Sequence, residues 1–221
     1  MTERSGRPGE ISPAVAWGLL AAFAVHDLEE LATMPGWAAA QVERLRARHP
    51  EVPERVWSAL RVTPAHAATA IGLMGLVVGG AAADGARTGG RSPFFQTVVA
   101  GFGLHAVSHV AQSAALGRYT PGVVTAPLVV APYALWARRA SRRAGVLREV
   151  DARGALTGAL AFPLAIAGVH AAAFGIGRLA RSRRSRRVRV TPRGARSPSR
   201  PGTGAGTGPG TGGAGSARPA G

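Results

Sequence analysis

Apolar residues dominate five separate stretches of this 221-residue chain, and polar or glycine-rich sequence connects them. Each stretch has roughly the 20 residues that a helix needs to cross a hydrocarbon core about 30 Å thick. Ala, Gly, Ser and Thr are frequent in these stretches, and such small residues let helices approach closely in lipid. The pattern predicts an all-α fold, a polytopic membrane helical bundle of about five transmembrane helices. The predicted spans cover residues 12–33, 62–83, 93–117, 119–137 and 154–177.

Four connecting or terminal segments outside these spans have a distinct composition. Residues 1–11 form an N-terminal segment that does not resemble a cleaved signal peptide, because acids interrupt the apolar stretch after it. Residues 35–61 mix Trp, Val and Leu with charged residues, which predicts short amphipathic helices at the membrane interface. Residues 138–153 form a basic loop. We expect the basic, Gly- and Pro-rich residues 178–221 to be a disordered tail.

The positive charge of the chain is concentrated beside predicted spans. The formal net charge is +16, and every basic residue is Arg. Arg clusters follow the fourth and fifth spans, where they can contact anionic lipid headgroups. A nucleic-acid partner is not expected, because the basic tail has no interleaved aromatic residues and no base-reading motif. The charge pattern therefore favours a lipid bilayer as the partner.

The first span contains His-Asp-Leu-Glu-Glu at residues 26–30. Each ionisable residue within a span costs roughly 2.5 to 3.5 kcal/mol on insertion scales, which indicates a function beyond plain anchoring. His26, Glu29 and Glu30 stand at i, i+3 and i+4 and share one helix face. Asp27 turns about 100° away from them and is at most an outer support. The three residues on one face are typical of half a metal site.

A second half-site lies in the third span, where His105 and His109 are spaced i, i+4. Two imidazoles at this spacing can bind one ion. If the chain alternates direction at about 1.5 Å per residue, all histidines within spans fall at middle depth or in the same half of the bilayer. The other members of this layer are His26, His66 at the start of the second span and His170 in the fifth.

These residues predict an intramembrane site for a divalent metal. Cysteine is absent, so the ligands must be nitrogen and oxygen, and Zn, Fe and Mn all accept imidazole and carboxylate. His170 is more typical of a packed residue. A structural polar network, a proton or ion path, and an interfacial exit of the first helix are the other interpretations of the same residues. The predicted ligands are His26, Glu29, Glu30, His105, His109 and His66.

Tyr-Thr-Pro-Gly opens the fourth predicted span at residues 119–122. Pro is favoured in the first turn of a helix, so this segment can simply start the fourth helix. Tyr119 is also a candidate substrate contact, because it would lie over the polar centre. Prolines inside the later spans predict kinks. They are Pro127, Pro132 and Pro163.

The order of these motifs resembles the HXXEE family of small bacterial integral membrane proteins. The resemblance rests on His-Asp-Leu-Glu-Glu ending the first span, a His starting the second, His-x-x-x-His in the third and Tyr-Thr-Pro-Gly opening the fourth. It covers residues 15–137 and hence most of a predicted four-span core over residues 12–137. His26, Glu29 and Glu30 match the naming motif. The resemblance implies a multi-pass protein of the bacterial cell membrane with a polar or metal centre, and it implies no particular substrate.

Three functional hypotheses follow from the sequence. The leading one is a metal-dependent membrane enzyme with Glu29 and Glu30 as catalytic carboxylates. In a hydrolytic version the metal activates water and the carboxylate that is not a ligand moves its proton. In an oxidative version two iron ions share the carboxylates and activate oxygen. The alternatives are an ion or proton carrier and a non-catalytic membrane scaffold, and the oligomeric state is open.

Overall fold

The computed structural model describes residues 9–149 and 151–190 of the chain. All regular structure in these ranges is helical, which confirms the predicted all-α bundle. A short π-helix runs directly into the fifth α-helix. The elements are α1 Pro13–Arg48, α2 Glu54–Ala59, α3 Pro64–Arg87, α4 Pro93–Leu116, the π-helix Ala126–Val130, α5 Ala131–Arg143 and α6 Ala152–Val190.

Capping residues fix where α3 and α4 begin. The Thr63 hydroxyl accepts a hydrogen bond from the His66 N–H at 3.1 Å, and the Ser92 hydroxyl accepts one from the Phe95 N–H at 3.1 Å. A proline follows each cap, at a position where its missing N–H leaves no helical bond unmade. α4 ends at Leu116, and the residue that caps it, Gly117, has a φ of 60° that suits glycine. These local signals explain why the second and third predicted spans coincide closely with α3 and α4.

α1 is longer than the first predicted span. The apolar pattern predicted a break near residue 33 and separate interfacial helices over 35–61, but α1 continues through Pro35 to Arg48. Pro35 removes one backbone hydrogen bond, and the Ala-, Gln-, Glu- and Arg-rich sequence after it favours helix strongly enough to continue. Of the predicted interfacial helices only α2 is separate, and the Arg46 guanidinium bonds the Glu54 carboxylate at its start.

The fourth predicted span, residues 119–137, is displaced along the chain. Residues 121–124 form turns, and continuous helix covers residues 126–143. Gly122 has a φ of 81°, a left-handed conformation that no α-helix contains. Pro127 lies in the first turn of the π-helix, where its missing N–H removes no helical bond. The helix therefore begins beside this proline instead of being kinked by it.

α6 extends beyond the fifth predicted span in the same way. It runs from Ala152 to Val190, so residues 178–190 are helical although the sequence predicted the start of a disordered tail there. Arg has a high helix propensity, which explains why the helix continues past the apolar stretch. Residues 1–8 of the predicted N-terminal segment and residues 191–221 of the predicted tail lie outside the described residues.

α3 contacts α1, α4 and α6. α1 and α4 also contact the π-helix and α5, and the core lies between these segments. Its fully buried side chains include Leu19, Phe95 and Val130. Gly85 of α3 packs so closely on the Phe95 ring that a Cβ there would lie 2.5 Å from Cδ2. Small residues thus bring α3 and α4 together, as the composition of the spans predicted.

Within the described residues, three helices are long and apolar enough to cross a membrane. They are α3, α4 and the part of α6 over Leu156–Arg183. α1 falls outside this set because three acids interrupt its apolar stretch at residues 27–30. Its outer face is still apolar, with Trp17 47% and Leu28 65% exposed. Such a face suits contact with lipid better than contact with water.

Candidate metal centre

Two helices bring four candidate metal ligands together inside the bundle. α1 supplies His26 and Glu30, and α4 supplies His105 and His109. Each pair is spaced i, i+4, so both of its side chains project from one helix face. One ligand atom from each residue can be chosen so that all lie within 4.8 Å of one another. We call these four side chains the His/Glu cluster.

The shortest approaches in the His/Glu cluster involve His109 and Glu30. Nε2 of His109 lies 3.2 Å from Oε1 of Glu30 and 2.9 Å from Nε2 of His105. Nε2 of His26 lies 3.8 Å from the same Glu30 oxygen. His26 is completely buried, and Glu30 and His109 are nearly so. The cluster therefore holds two imidazoles and a carboxylate away from water, with His105 half-buried beside them, and buried polar groups are stable only if they are paired or bind an ion.

The orientation of His109 is fixed by a backbone carbonyl. Nδ1 of His109 lies 2.7 Å from the carbonyl oxygen of Pro121, in the segment between α4 and the π-helix. Because a carbonyl only accepts, Nδ1 carries the proton and donates it. In the neutral ring, Nε2 then presents its lone pair to the His/Glu cluster, which is the arrangement that metal-binding histidines require.

A hydroxyl and a carboxylate orient His26 in the same way. The Thr125 hydroxyl lies 2.6 Å from Oε2 of Glu29 and 2.8 Å from Nδ1 of His26. The hydroxyl donates to the carboxylate and therefore accepts from the Nδ1–H of His26. Nε2 of His26 is left with a lone pair that is buried and has no hydrogen-bond partner among the described residues. This nitrogen faces the cluster at a distance too long for a hydrogen bond to Glu30.

Gly122 is the backbone element that fits between the two oriented rings. A Cβ at this position would lie 2.7 Å from Cε1 of His26 and 2.7 Å from Cε1 of His109. Its φ of 81° is also one that residues with a side chain rarely adopt. Both the space and the backbone conformation therefore require glycine here.

Glu29 lies outside the His/Glu cluster, although the sequence predicted it as a ligand. Its Oε2 accepts the backbone N–H of Thr125 at 2.8 Å besides the hydroxyl, and its Oε1 accepts the Tyr119 hydroxyl at 2.7 Å. The Val124 N–H also approaches Oε1 at 3.3 Å. These donors occupy both oxygens, so Glu29 holds the loop that carries Thr125 and Tyr119. Trp37, further along α1, also holds this loop by donating to the Tyr119 carbonyl at 3.1 Å.

The amino-acid sequence matches a family described as a protein of unknown function with HXXEE motif, over residues 17–137. The match spans more than half of the chain. The chain belongs to the HXXEE family. No curated protein and no solved structure matches it. The whole His/Glu cluster lies within the matched residues, whereas α6 lies beyond them.

Two histidines of this HXXEE protein pair with each other away from the cluster. Nε2 of His66 on α3 lies 3.0 Å from Nδ1 of His170 on α6, and the two rings stack with centroids 5.3 Å apart. In the part of the chain that the structure describes, neither belongs to the group of candidate ligands. The predicted role of His66 as a ligand is thus not supported by its position, and the pair instead joins α3 to α6.

Asp27 borders a cavity beside the His/Glu cluster. The cavity has a volume of about 270 Å³ and is also lined by Glu30 and His105. Asp27 is 8% exposed, and no hydrogen bond joins its carboxyl to another described residue. The helical position of Asp27 predicted only that it turns away from His26 and Glu30, and the structure shows that it turns toward this cavity.

Sequence reasoning did not identify Thr125, Gly122 and the Pro121 carbonyl as parts of the site in the HXXEE protein. It interpreted the Tyr-Thr-Pro-Gly segment as a helix start and Tyr119 as a candidate substrate contact. The available signal was Gly122, because glycine directly after proline marks a turn more often than a helix interior. A turn at that point would have placed a backbone segment over the histidines.

Proposed function

We propose that this HXXEE protein is a metal-dependent membrane enzyme in which the His/Glu cluster binds one divalent metal. Zn, Fe and Mn all fit a donor set of imidazole nitrogens and one carboxylate oxygen. His26, Glu30, His105 and His109 are the proposed ligands. Glu29 and Thr125 are proposed as outer supports, since an outer carboxylate commonly orients a ligand histidine.

The observation that carries the proposal is the unpaired Nε2 of His26. A buried polar atom without a partner costs free energy, and folded proteins leave few such atoms. This nitrogen is buried, its neighbour Nδ1 is already bonded to Thr125, and its lone pair faces Glu30 and His109. A metal at the centre of the cluster would give it a partner.

One ion is a better fit than two. A pair of ions needs at least one bridging carboxylate and further oxygen ligands. Glu30 is the only carboxylate of the described residues within the cluster, and both oxygens of Glu29 accept hydrogen bonds from the 119–125 loop. We therefore favour hydrolysis with a single ion over oxygen activation by two irons.

The residues beside the cluster suit proton transfer in such a reaction. A bound divalent ion polarises a carbonyl or activates a water molecule. Asp27 lines the same cavity as Glu30 and His105, so its carboxyl can accept a proton from a nucleophile in that cavity. Phe102, edge-on to His26 at a centroid distance of 6.0 Å, helps keep bulk water away from the cluster.

Elemental analysis of the purified protein tests the proposal. We expect about one tightly held metal ion per chain in the wild type, because the four proposed ligands form one site. Purification near neutral pH or above keeps the ligand histidines deprotonated, as metal binding requires. His26→Ala, Glu30→Gln and His109→Ala should each lose it. His49→Ala is the matched control, because His49 is exposed and pairs only with Glu51 among the charged groups of the described residues.

The same measurement separates the alternatives. A non-catalytic scaffold held by a polar network predicts a folded wild type without metal, together with destabilisation in the three ligand variants. A carrier predicts weak binding that is lost during purification and restored by added metal. A wild type that is folded and binds no metal under either condition would rule out the metal centre.

A further inference from the structure

The cavity beside the His/Glu cluster lies between α1, α3, α4 and α6. Its walls are mostly apolar side chains from these helices. The polar side chains of the described lining are Asp27, Glu30, Thr97, His105 and His170. The apolar lining includes Phe23, Ile71, Met74, Phe94, Phe102 and Ile166.

The cavity and the cluster share two residues. Glu30 and His105 line the cavity and also belong to the His/Glu cluster, so a molecule in the cavity contacts the cluster directly. Binding pockets of this kind, apolar with a few polar groups, are typical of sites for small lipophilic ligands.

The surrounding helices indicate where such a ligand comes from. α3, α4 and the apolar part of α6 are the helices that are long and apolar enough to span a membrane. A cavity between them is most directly reached from the hydrocarbon layer. The occupant is therefore an apolar chain supplied by the bilayer rather than a polar solute.

The carboxyl groups limit the polar end of this molecule. Asp27 and Glu30 are both carboxyl side chains of the cavity wall, and the described lining contains no Lys or Arg that could pair with an anionic head. The Asp27 carboxyl makes no hydrogen bond to another described residue, so it can accept one from a ligand hydroxyl. An uncharged, hydroxyl-bearing head fits both conditions.

We propose that the cavity binds a lipid with a long apolar chain and an uncharged hydroxyl head, placed so that the head meets Asp27 and the His/Glu cluster. The reactive position of the head depends on the metal centre proposed above, but binding of the chain does not. α6 supplies one wall and lies outside the family match, so this part of the cavity is where the protein can set its own preference among lipids.

Photolabelling in nanodiscs tests the proposal. The probe is a hexadecanol carrying a diazirine on its chain, and labelled peptides are mapped by mass spectrometry. We expect labels on cavity residues such as Ala70, Met74 and Gly158. Excess unlabelled hexadecanol should compete for these labels, and the corresponding hexadecanoic acid probe should label them less.

Gly158→Leu provides the matched perturbation. Gly158 lines the cavity, and a Cβ there would meet no atom within 4 Å, so leucine enters the open space. Labelling of the cavity peptides should fall about tenfold, equivalent to about 1.4 kcal/mol of binding free energy. Gly168→Leu on the same helix also has room for its side chain but does not line the cavity, and it should label like the wild type.

Each outcome decides between occupants and separates this proposal from the metal centre. The lipid site would be overturned if excess hexadecanol does not reduce the labelling, or if Gly158→Leu labels as strongly as the wild type. Preferential labelling by the acid probe would overturn the uncharged head. Metal content is measured on the same samples, and saturable labelling of a metal-free wild type would leave the lipid site standing while the proposed enzyme fails. Competition in the wild type decides the matter even if Gly158→Leu does not fold.

Discussion

The Thr125 hydroxyl lies 2.8 Å from Nδ1 of His26 and accepts a hydrogen bond from its N–H. We predict that Thr125→Val lowers metal affinity by about 10- to 100-fold, the usual effect of removing an outer partner of a ligand histidine. Without this acceptor, the His26 proton can move to Nε2 and block the lone pair that faces the cluster. Titration with a competing chelator measures the change.

Thr125→Ser is the control for this prediction, because serine keeps the hydroxyl that connects His26 with Glu29. It should bind metal nearly as tightly as the wild type. Equal losses in the Val and Ser variants would mean that the packing of the methyl group, and not the hydrogen bond, is what matters.

Gly122→Ala should both destabilise the protein and remove the metal. The added Cβ would lie 2.7 Å from the rings of His26 and His109, which must move apart. Overpacking and the positive φ together should cost about 2 to 4 kcal/mol of unfolding free energy. Gly117→Ala has a similarly positive φ of 60° but no atom within 4 Å of the Cβ, so it should show only the backbone cost and keep its metal. Thermal unfolding followed by tryptophan fluorescence, with metal analysis, distinguishes the two variants.

The two adjacent glutamates of the motif should differ when each is replaced by glutamine. Glu30→Gln removes a proposed ligand and should abolish stoichiometric metal. Glu29→Gln places an amide NH₂ against groups that donate hydrogen bonds, the Thr125 N–H and the hydroxyls of Thr125 and Tyr119. It should destabilise the fold by about 1 to 3 kcal/mol and weaken metal binding without abolishing it. Metal titration and thermal unfolding of both variants test this, and complete metal loss in Glu29→Gln with retention in Glu30→Gln would reverse the two assignments.

The topology can be tested with reporter fusions. α6 contains an apolar stretch long enough to cross a membrane, and Arg-rich sequence lies before and after it. We predict that fusions at Arg143 and Arg200 report opposite sides. If both fusions report the same compartment, α6 does not cross the membrane. The inference that α6 forms a cavity wall within the lipid layer would then be wrong.

Much of the fold was predictable because apolar length and local capping signals act within single segments. α3 and α4 follow this rule, since Thr63 and Ser92 mark their starts. The ends of α1 and α6 were not predictable in the same way. Hydropathy marks where a chain leaves lipid, but helix propensity and packing decide where the helix itself stops, as in the continuation through Pro35.

The candidate site was only partly predictable for a related reason. Helical spacing places His26 with Glu30 and His105 with His109, because each pair lies on one helix. The same spacing placed Glu29 beside them, and it could not show that Thr125 and Tyr119 would bind both of its oxygens. Contacts with an irregular loop depend on tertiary structure and leave no periodic pattern in the sequence.

α1 is one continuous helix of 36 residues, equivalent to about 54 Å, whereas a hydrocarbon core is about 30 Å thick. A helix of this length that crossed a bilayer would extend well beyond the lipid. In its C-terminal half, Trp37 donates to the Tyr119 carbonyl and Gln41 accepts a hydrogen bond from Arg118. The same continuous helix therefore carries His26 and, further along, holds the loop that orients His26 and His109, so both sides of the site depend on one element.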